Sequence, residues 1–200
     1  MRAEPLPRER DREAARVLGE ALTDDPGWAD VGPRDRERRR RMLHRNSRGC
    51  VRMARRWGGP LLGVFAGDEL AGVCLFFAPG RWPPPPWSLA WAAHGIAQAG
   101  PAVWLRALRV QRQMELRHPI EPHLYVFVLG VHPAHQRKGV GRALLAGPVA
   151  DADRHVLPAW VETGNPDNLP YYGSLGFEPE HKIRLPRGAP MWFMRREPGS

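Results

Sequence analysis

The sequence predicts a single α/β domain on one mixed sheet, and three features of its apolar pattern predict it. An early apolar hairpin (61–77), a strand-loop-helix-strand run (123–163) and a late hairpin (177–195) supply the strands. Helical periodicity between them supplies the cover. At 200 residues, 42% hydrophobic and 26% charged, the chain can bury one real core and is neither disordered nor fibrous in composition.

Taken in order, residues 9–22 place Ala14, Val17, Leu18, Ala21 and Leu22 at helical spacing, and Thr23-Asp24-Asp25-Pro26 ends the run. A second helix spans about 34–57, with Leu43, Cys50, Ala54 and Trp57 on one face. Its opposite face carries a stripe of Arg34, Arg38, Arg41, Arg45, Arg48, Arg52 and Arg55. The runs 61–66 and 70–77 are strands joined through Gly67-Asp68-Glu69. Pro79 to Trp87 is a stiff, proline-rich loop. A helical region follows and breaks at Gly100, after which Pro101 starts another helix that Pro119 and Pro122 terminate. Residues 123–131 form the most β-prone run, 139–154 a helix, 159–163 a strand, 165–175 a loop with a short helix, and 177–185 with 190–195 a closing hairpin.

The formal net charge is +9, carried by 28 Arg and two Lys against 21 acidic residues. Residues 34–56 hold 11 Arg against Asp35 and Glu37, a net of +9 that leaves the rest of the chain balanced. A basic coat over the whole protein is excluded, and the charge is read as one solvated helix face. Nucleic acid is the competing reading of that face; it is disfavoured because the stripe has no interleaved aromatic residues. Cys50 and Cys74 match no zinc spacing and are too few for a disulfide scaffold, and the scattered histidines indicate no metal. The N-terminal residues have no apolar run of signal-peptide type, so a reducing, cytoplasmic setting is expected. Pro83–Leu105 is uncharged, but its four leading prolines, His94, Gln98 and Gly100-Pro101 argue for a pocket-lining segment rather than a membrane span.

Chemistry concentrates in Gln136-Arg137-Lys138-Gly139-Val140-Gly141, which follows the strand LYVFVLGV and opens a helix. A helix start presents unpaired N–H groups and a positive dipole end to an anion, and glycines permit close approach. Arg137, Lys138 and Arg142 add charge. This segment resembles the pyrophosphate-binding pattern Gln/Arg-x-x-Gly-x-Gly/Ala of the GCN5-related N-acetyltransferase (GNAT) superfamily. Downstream, the run from Glu162 through Asn168 to Tyr172-Gly173-Ser174-Leu175-Gly176-Phe177 resembles the family's strand-loop-helix ending. The resemblance is specific over 121–196, and length and ending are similar to those of puromycin N-acetyltransferase-like enzymes.

The resemblance implies one N-acetyltransferase domain over 1–200, with a mainly antiparallel sheet whose central strands splay after a bulge. Leu129-Gly130-Val131 is expected to be that bulge, with Gly130 suited to it. Acetyl-CoA is the implied co-substrate, held by Leu129, Gly130 and Val131 along its arm, by Gln136, Arg137, Lys138, Gly139, Val140, Gly141 and Arg142 at the pyrophosphate, and by Asn168. Tyr172 matches the general acid, since a phenol stays protonated at neutral pH. Tyr171 is read as packing. The base is left open between Glu162, Glu121 and His118, in that order. Trp82, Trp87, Trp91 and Trp104 are expected to wall a pocket for a flat or apolar acceptor. The implied activity is direct ternary-complex acetyl transfer to a primary amine of a small molecule, such as an antibiotic or aminonucleoside. An acetyl-CoA sensor without turnover is the alternative within the same fold. Monomer and homodimer are equally compatible with the sequence.

Overall fold

The computed structural model describes residues 1–57 and 61–200. Among them, the order is β1 (Glu4–Pro5), α1 (Asp11–Thr23), α2 (Pro26–Val31), α3 (Arg36–Trp57), β2 (Leu62–Ala66), β3 (Glu69–Phe77), α4 (Pro86–Ala97), α5 (Pro101–Glu115), β4 (Leu124–Val131), α6 (Val140–Arg154), β5 (Ala159–Thr163), α7 (Leu169–Gly173), β6 (Glu178–Arg184) and β7 (Pro190–Arg196). Every expected strand and helix forms. The additions are β1 and α2, and α2 begins on an N-cap: the Asp25 carboxylate accepts from the Trp28 N–H at 3.1 Å, with Pro26 at the first turn.

The seven strands form one sheet in the order β1-β2-β3-β4-β5-β7-β6. All neighbours are antiparallel except β4 and β5, so the sheet is mixed and mainly antiparallel, as the resemblance implies. The chain crosses over from β4 to β5 through α6. β3 is buried on both faces, which explains its unbroken apolar run. Val73 and Leu75 pack against α1 and α3 with Leu18 and Cys50, whereas Cys74 and Phe76 pack on the α6 side with Leu144 and Leu145. Cys50 and Cys74 are both buried and unpaired, and burial pushes each thiol up to about 12.

The sheet opens at its centre. β4 and β5 pair only through Leu124–Ala159, Tyr125–Trp160 and Val126–Val161. In the β3–β4 ladder, Val126 lies opposite Phe76 and Val128 opposite Leu75, so Phe127 is the extra residue of a bulge. The bulge therefore sits at Phe127 and not at Leu129-Gly130-Val131. Gly130 serves packing instead: a Cβ there would stand 2.8 Å from Leu18 Cδ2 and 3.1 Å from Ala21 Cβ, so the glycine lets α1 lie against β4. No described helix is long and apolar enough to cross a membrane. Pro83–Leu105 instead forms α4 and the start of α5.

Candidate active site

Where β4 and β5 diverge, a cavity of about 560 Å³ opens between the sheet and the helices α2, α4 and α5. Phe127, Val128 and Leu129 form its floor, and Trp28, Trp82, Trp104 and Ile96 are among its walls. Asp25 and Glu162 are the only charged groups on its described lining. The stiff loop before α4 borders it through Trp82 and Pro86. Trp87 and Trp91, expected to share that wall, line a different cleft.

Tyr172 lies on this cavity, 5% exposed, on the short helix α7. Its phenol is held well above the ordinary value, chiefly by burial, with Tyr171 and the nearby Asp25 and Glu162 carboxylates contributing. Asn168 also lines the cavity and donates from Nδ2 to Thr163 Oγ1 at 3.1 Å. Glu162, at the end of β5, accepts from the Trp160 indole N–H at 2.8 Å and turns its carboxylate into the same space.

His118 stands behind Glu162, its Nδ1 3.8 Å from Glu162 Oε1. Its Nε2 meets His123 Nε2 at 3.0 Å, and His123 Nδ1 meets the Glu121 carbonyl at 2.8 Å. A carbonyl only accepts, so His123 carries its proton on Nδ1 and accepts at Nε2 from His118. A neutral His118 then turns an unprotonated Nδ1 toward Glu162, and the pair can share one incoming proton. Burial is the chief cause that holds His123 below the ordinary imidazole value, which favours its neutral form. Sequence reading missed His123; a second histidine at an apolar strand start carries no signal until the fold closes it on His118.

Glu121 takes no place in the cavity. Its carboxylate is bound by Arg195, which holds it below the usual carboxylate range, and it faces solvent. Asp25 is the opposite case, read only as the end of a helix. It lines the cavity, and burial raises its carboxyl above the ordinary value. The Asp25-Pro26 pair was the available signal, as an N-cap followed by a helix-starting proline.

The glycine loop ahead of α6 ends in an open helix start. Gly139 adopts φ 84°, the left-handed region that glycine tolerates without strain, immediately before α6. The first helical bond runs from Ala143 N–H to the Gly139 carbonyl at 3.0 Å, leaving the N–H groups of Val140, Gly141 and Arg142 at the helix end without an intrahelical acceptor. Gln136 donates to the Val131 carbonyl at 3.2 Å, Lys138 to the Ala134 carbonyl at 2.8 Å, and Arg142 to Ser174 Oγ at 3.0 Å. These bonds shape the loop, while Arg137 stays exposed. Tyr171 packs against the core, as read, and its hydroxyl is buried without a hydrogen-bond partner where a Cβ on Gly141 would stand 3.0 Å from it.

The splay completes the arrangement. His132 N–H bonds the Ala71 carbonyl, so ladder alternation turns the amides of Leu129 and Val131 away from β3, toward the side β5 has left. Unpaired strand amides, an anion-binding helix end and an orphaned hydroxyl fit a long, phosphate-bearing ligand laid through the gap. The sequence indicates no metal; the structure brings Glu69, His132 and His135 within 4.8 Å of one another, with His135 Nε2 3.2 Å from Glu69 Oε2. This trio ties the β2–β3 turn to the segment ahead of the loop, and none of its members lines the cavity.

Comparison with known proteins places the fold. The chain is 34% identical over 87 residues to an L-methionine sulfoximine/L-methionine sulfone acetyltransferase of Salmonella typhimurium, covering 40% of this chain and 48% of that protein. It is 41% identical over 64 residues to the L-amino acid N-acyltransferase MnaT of Escherichia coli, covering 30% and 34%. The aligned part thus spans less than half the length of these curated relatives. An acetyltransferase structure from Salmonella typhimurium, solved with its cofactor acetyl-CoA, superposes with a TM-score of 0.58 at 18% identity, over 100% of this chain and 95% of that one. The model of the Acetyltransferase (GNAT) family matches residues 20–177, and the chain, with its splayed sheet and glycine loop, belongs to that family.

Proposed function

We propose that the protein transfers the acetyl group of acetyl-CoA to the primary amine of a small, largely apolar molecule, within a ternary complex. The observation that carries the acceptor class is the charge of the cavity: Asp25 and Glu162 on an apolar and aromatic lining, with no basic side chain among the described residues on it. Such a site suits an ammonium on an apolar or aromatic body. It offers no partner to a carboxylate, whose burial without a cation is costly. An amine without a carboxylate is therefore favoured over free amino acids, the substrates named for the two curated relatives. An antibiotic of the aminonucleoside type fits this description.

The ammonium binds between the carboxylates and passes a proton to Glu162, with His118 behind it to share the charge. The freed lone pair attacks the thioester carbonyl, forming the C–N bond. A strand amide in the gap polarises that carbonyl. The C–S bond then breaks, the thiolate takes the Tyr172 proton, and the second proton of the attacking nitrogen returns to the Tyr172 oxygen, leaving a neutral amide and a free thiol. Because the Tyr172 phenol is held above its ordinary value, it remains a proton donor throughout the neutral range.

Thiol release from acetyl-CoA, measured across arylalkylamines, alkylamines, puromycin and free amino acids, tests this reading. Apolar amines are expected to exceed amino acids in kcat/KM by at least tenfold, and a preference for amino acids overturns the acceptor class. Tyr172→Phe is expected to lower kcat by about 10²-fold with little change in KM for acetyl-CoA. Acetyl-CoA binding with no turnover of any amine would favour the sensor reading. Gly141→Val drives a side chain against the Tyr171 hydroxyl and the loop. Calorimetry is expected to show at least a tenfold loss of coenzyme affinity, and unchanged affinity removes the loop from the binding site.

A further inference from the structure

The arginine stripe of α3 does not face bare solvent along its whole length. A second cavity, of about 670 Å³, lies on the outer side of this helix, away from the active site. Arg8 and Arg12 from the N-terminal segment and Arg48, Arg52, Arg55 and Arg56 from α3 line it, with Trp87 and Trp91 of α4. Its one acidic residue among those described, Asp11, is already bound by Arg55 at 2.6 Å. The other five arginines are exposed and have no carboxylate partner among the described residues. Five cationic groups converging on one cleft repel one another and invite an anion.

The aromatic residues decide which anion. The stripe itself has none, but α4 packs across α3 and places two tryptophans beside it. Arg52 lies over the Trp91 ring at 4.2 Å, a cation–π contact. Trp87 meets Trp57 and Trp91 edge-on, at 5.7 Å and 5.3 Å between centroids, and is 54% exposed. A large aromatic ring half in water, in a cleft lined by arginines, is a stacking platform beside a field of positive charge. An exposed aromatic ring among arginines favours a single strand, whose bases are free to stack on it, over a bilayer or a duplex, whose bases are already stacked on one another. Arginine is used here without lysine, and its planar guanidinium suits phosphate and base faces.

We infer that this cleft binds single-stranded nucleic acid, with phosphates on Arg8, Arg12, Arg48, Arg52 and Arg56 and a base stacked on Trp87. The site is separate from the acetyl-transfer cavity, since neither Trp87 nor any of these arginines lines that cavity.

Fluorescence anisotropy of the full-length chain with a labelled 12-nucleotide polyuridine provides the test. Affinity is expected to fall with salt, with a slope of log K against log salt of about −3.5, roughly −0.7 for each of the five phosphates engaged. The double variant Arg48→Glu, Arg52→Glu is expected to weaken binding more than tenfold. Trp87→Ala is expected to weaken it about tenfold, and Trp87→Phe, which keeps a stacking face, to retain most of the affinity. Unchanged affinity in Trp87→Ala overturns the proposal, as does tighter binding of a duplex of equal length or of phosphatidylserine vesicles.

Discussion

Glu162→Gln is expected to lower kcat/KM near pH 7 by about 10²- to 10⁴-fold, the range of a lost general base. The substitution is nearly isosteric, and an amide oxygen can still accept the Trp160 indole N–H that now reaches Glu162 at 2.8 Å. The fold and the cavity shape should therefore survive, and the loss falls on proton transfer. Two further readouts separate this role from a structural one. Raising the pH supplies more free amine, so the variant should recover part of its rate in alkaline buffer while the wild type gains little. Coenzyme affinity should be unchanged, because the glycine loop proposed to hold the pyrophosphate is built by other residues. His118→Gln, one step further from the acceptor, should cost less, about tenfold. Glu121→Gln should leave kcat/KM within about twofold, since that carboxylate is held by Arg195 outside the cavity. A large loss in Glu121→Gln with none in Glu162→Gln would reverse the assignment.

Gly49→Ala is expected to destabilise the protein by about 3 kcal/mol, in the range of severe overpacking. The added Cβ would lie 2.0 Å from the Trp91 carbonyl oxygen and 2.6 Å from the Ala92 nitrogen, all backbone, so no side chain can turn aside. α3 and α4 approach closely here from both sides, since a Cβ on Gly95 would meet the Asn46 nitrogen at 2.3 Å. Relief requires α4 to lift from α3. That moves Ala93 and Ile96 of the acceptor cavity on one side and Trp87 and Trp91 of the arginine cleft on the other. For a domain of this size the loss corresponds to a fall in Tm of roughly 6–12 °C, read by thermal denaturation. Gly147→Ala is the control. It lies in α6 with nothing near its Cβ position, and alanine there should be neutral or stabilising by up to about 1 kcal/mol. Equal melting of the two variants would refute the packing argument.

Elements whose apolar spacing repeats over several turns or strand residues were legible from sequence, as was the turn chemistry between them. α1, α3, α6, β3 and β4 formed where their patterns placed them. The short helix α2 escaped because its six residues cannot show a period, although Asp25-Pro26 marked its start. The bulge was misplaced because glycine suits both a bulge and a close approach. Gly130 answers to Leu18 of a helix more than 100 residues away, which no local pattern reports. The tryptophans were expected to act together, yet Trp82 and Trp104 wall the cavity while Trp87 and Trp91 turn to the arginine cleft. Trp87 and Trp91, one turn apart, share a face of α4, whereas Trp82 precedes that helix and Trp104 belongs to α5, and only the packing of α4 on α3 decides which site each meets.

By itself, the sequence determined the order of the longer strands and helices, the glycine loop at the start of α6 and the confinement of excess charge to one helix. These are local properties, set by periodicity, turn chemistry and the demand of a helix end for an anion. Tertiary structure decided which charges share a site. It tied Glu121 to Arg195 in solvent, set Asp25 and Glu162 on the lining of one cavity and closed His118 between Glu162 and His123. It also set two tryptophans beside the arginines. The physical reason is that a carboxylate or a guanidinium takes its energy from the groups within a few ångströms of it in space, and those come from segments far apart in the chain.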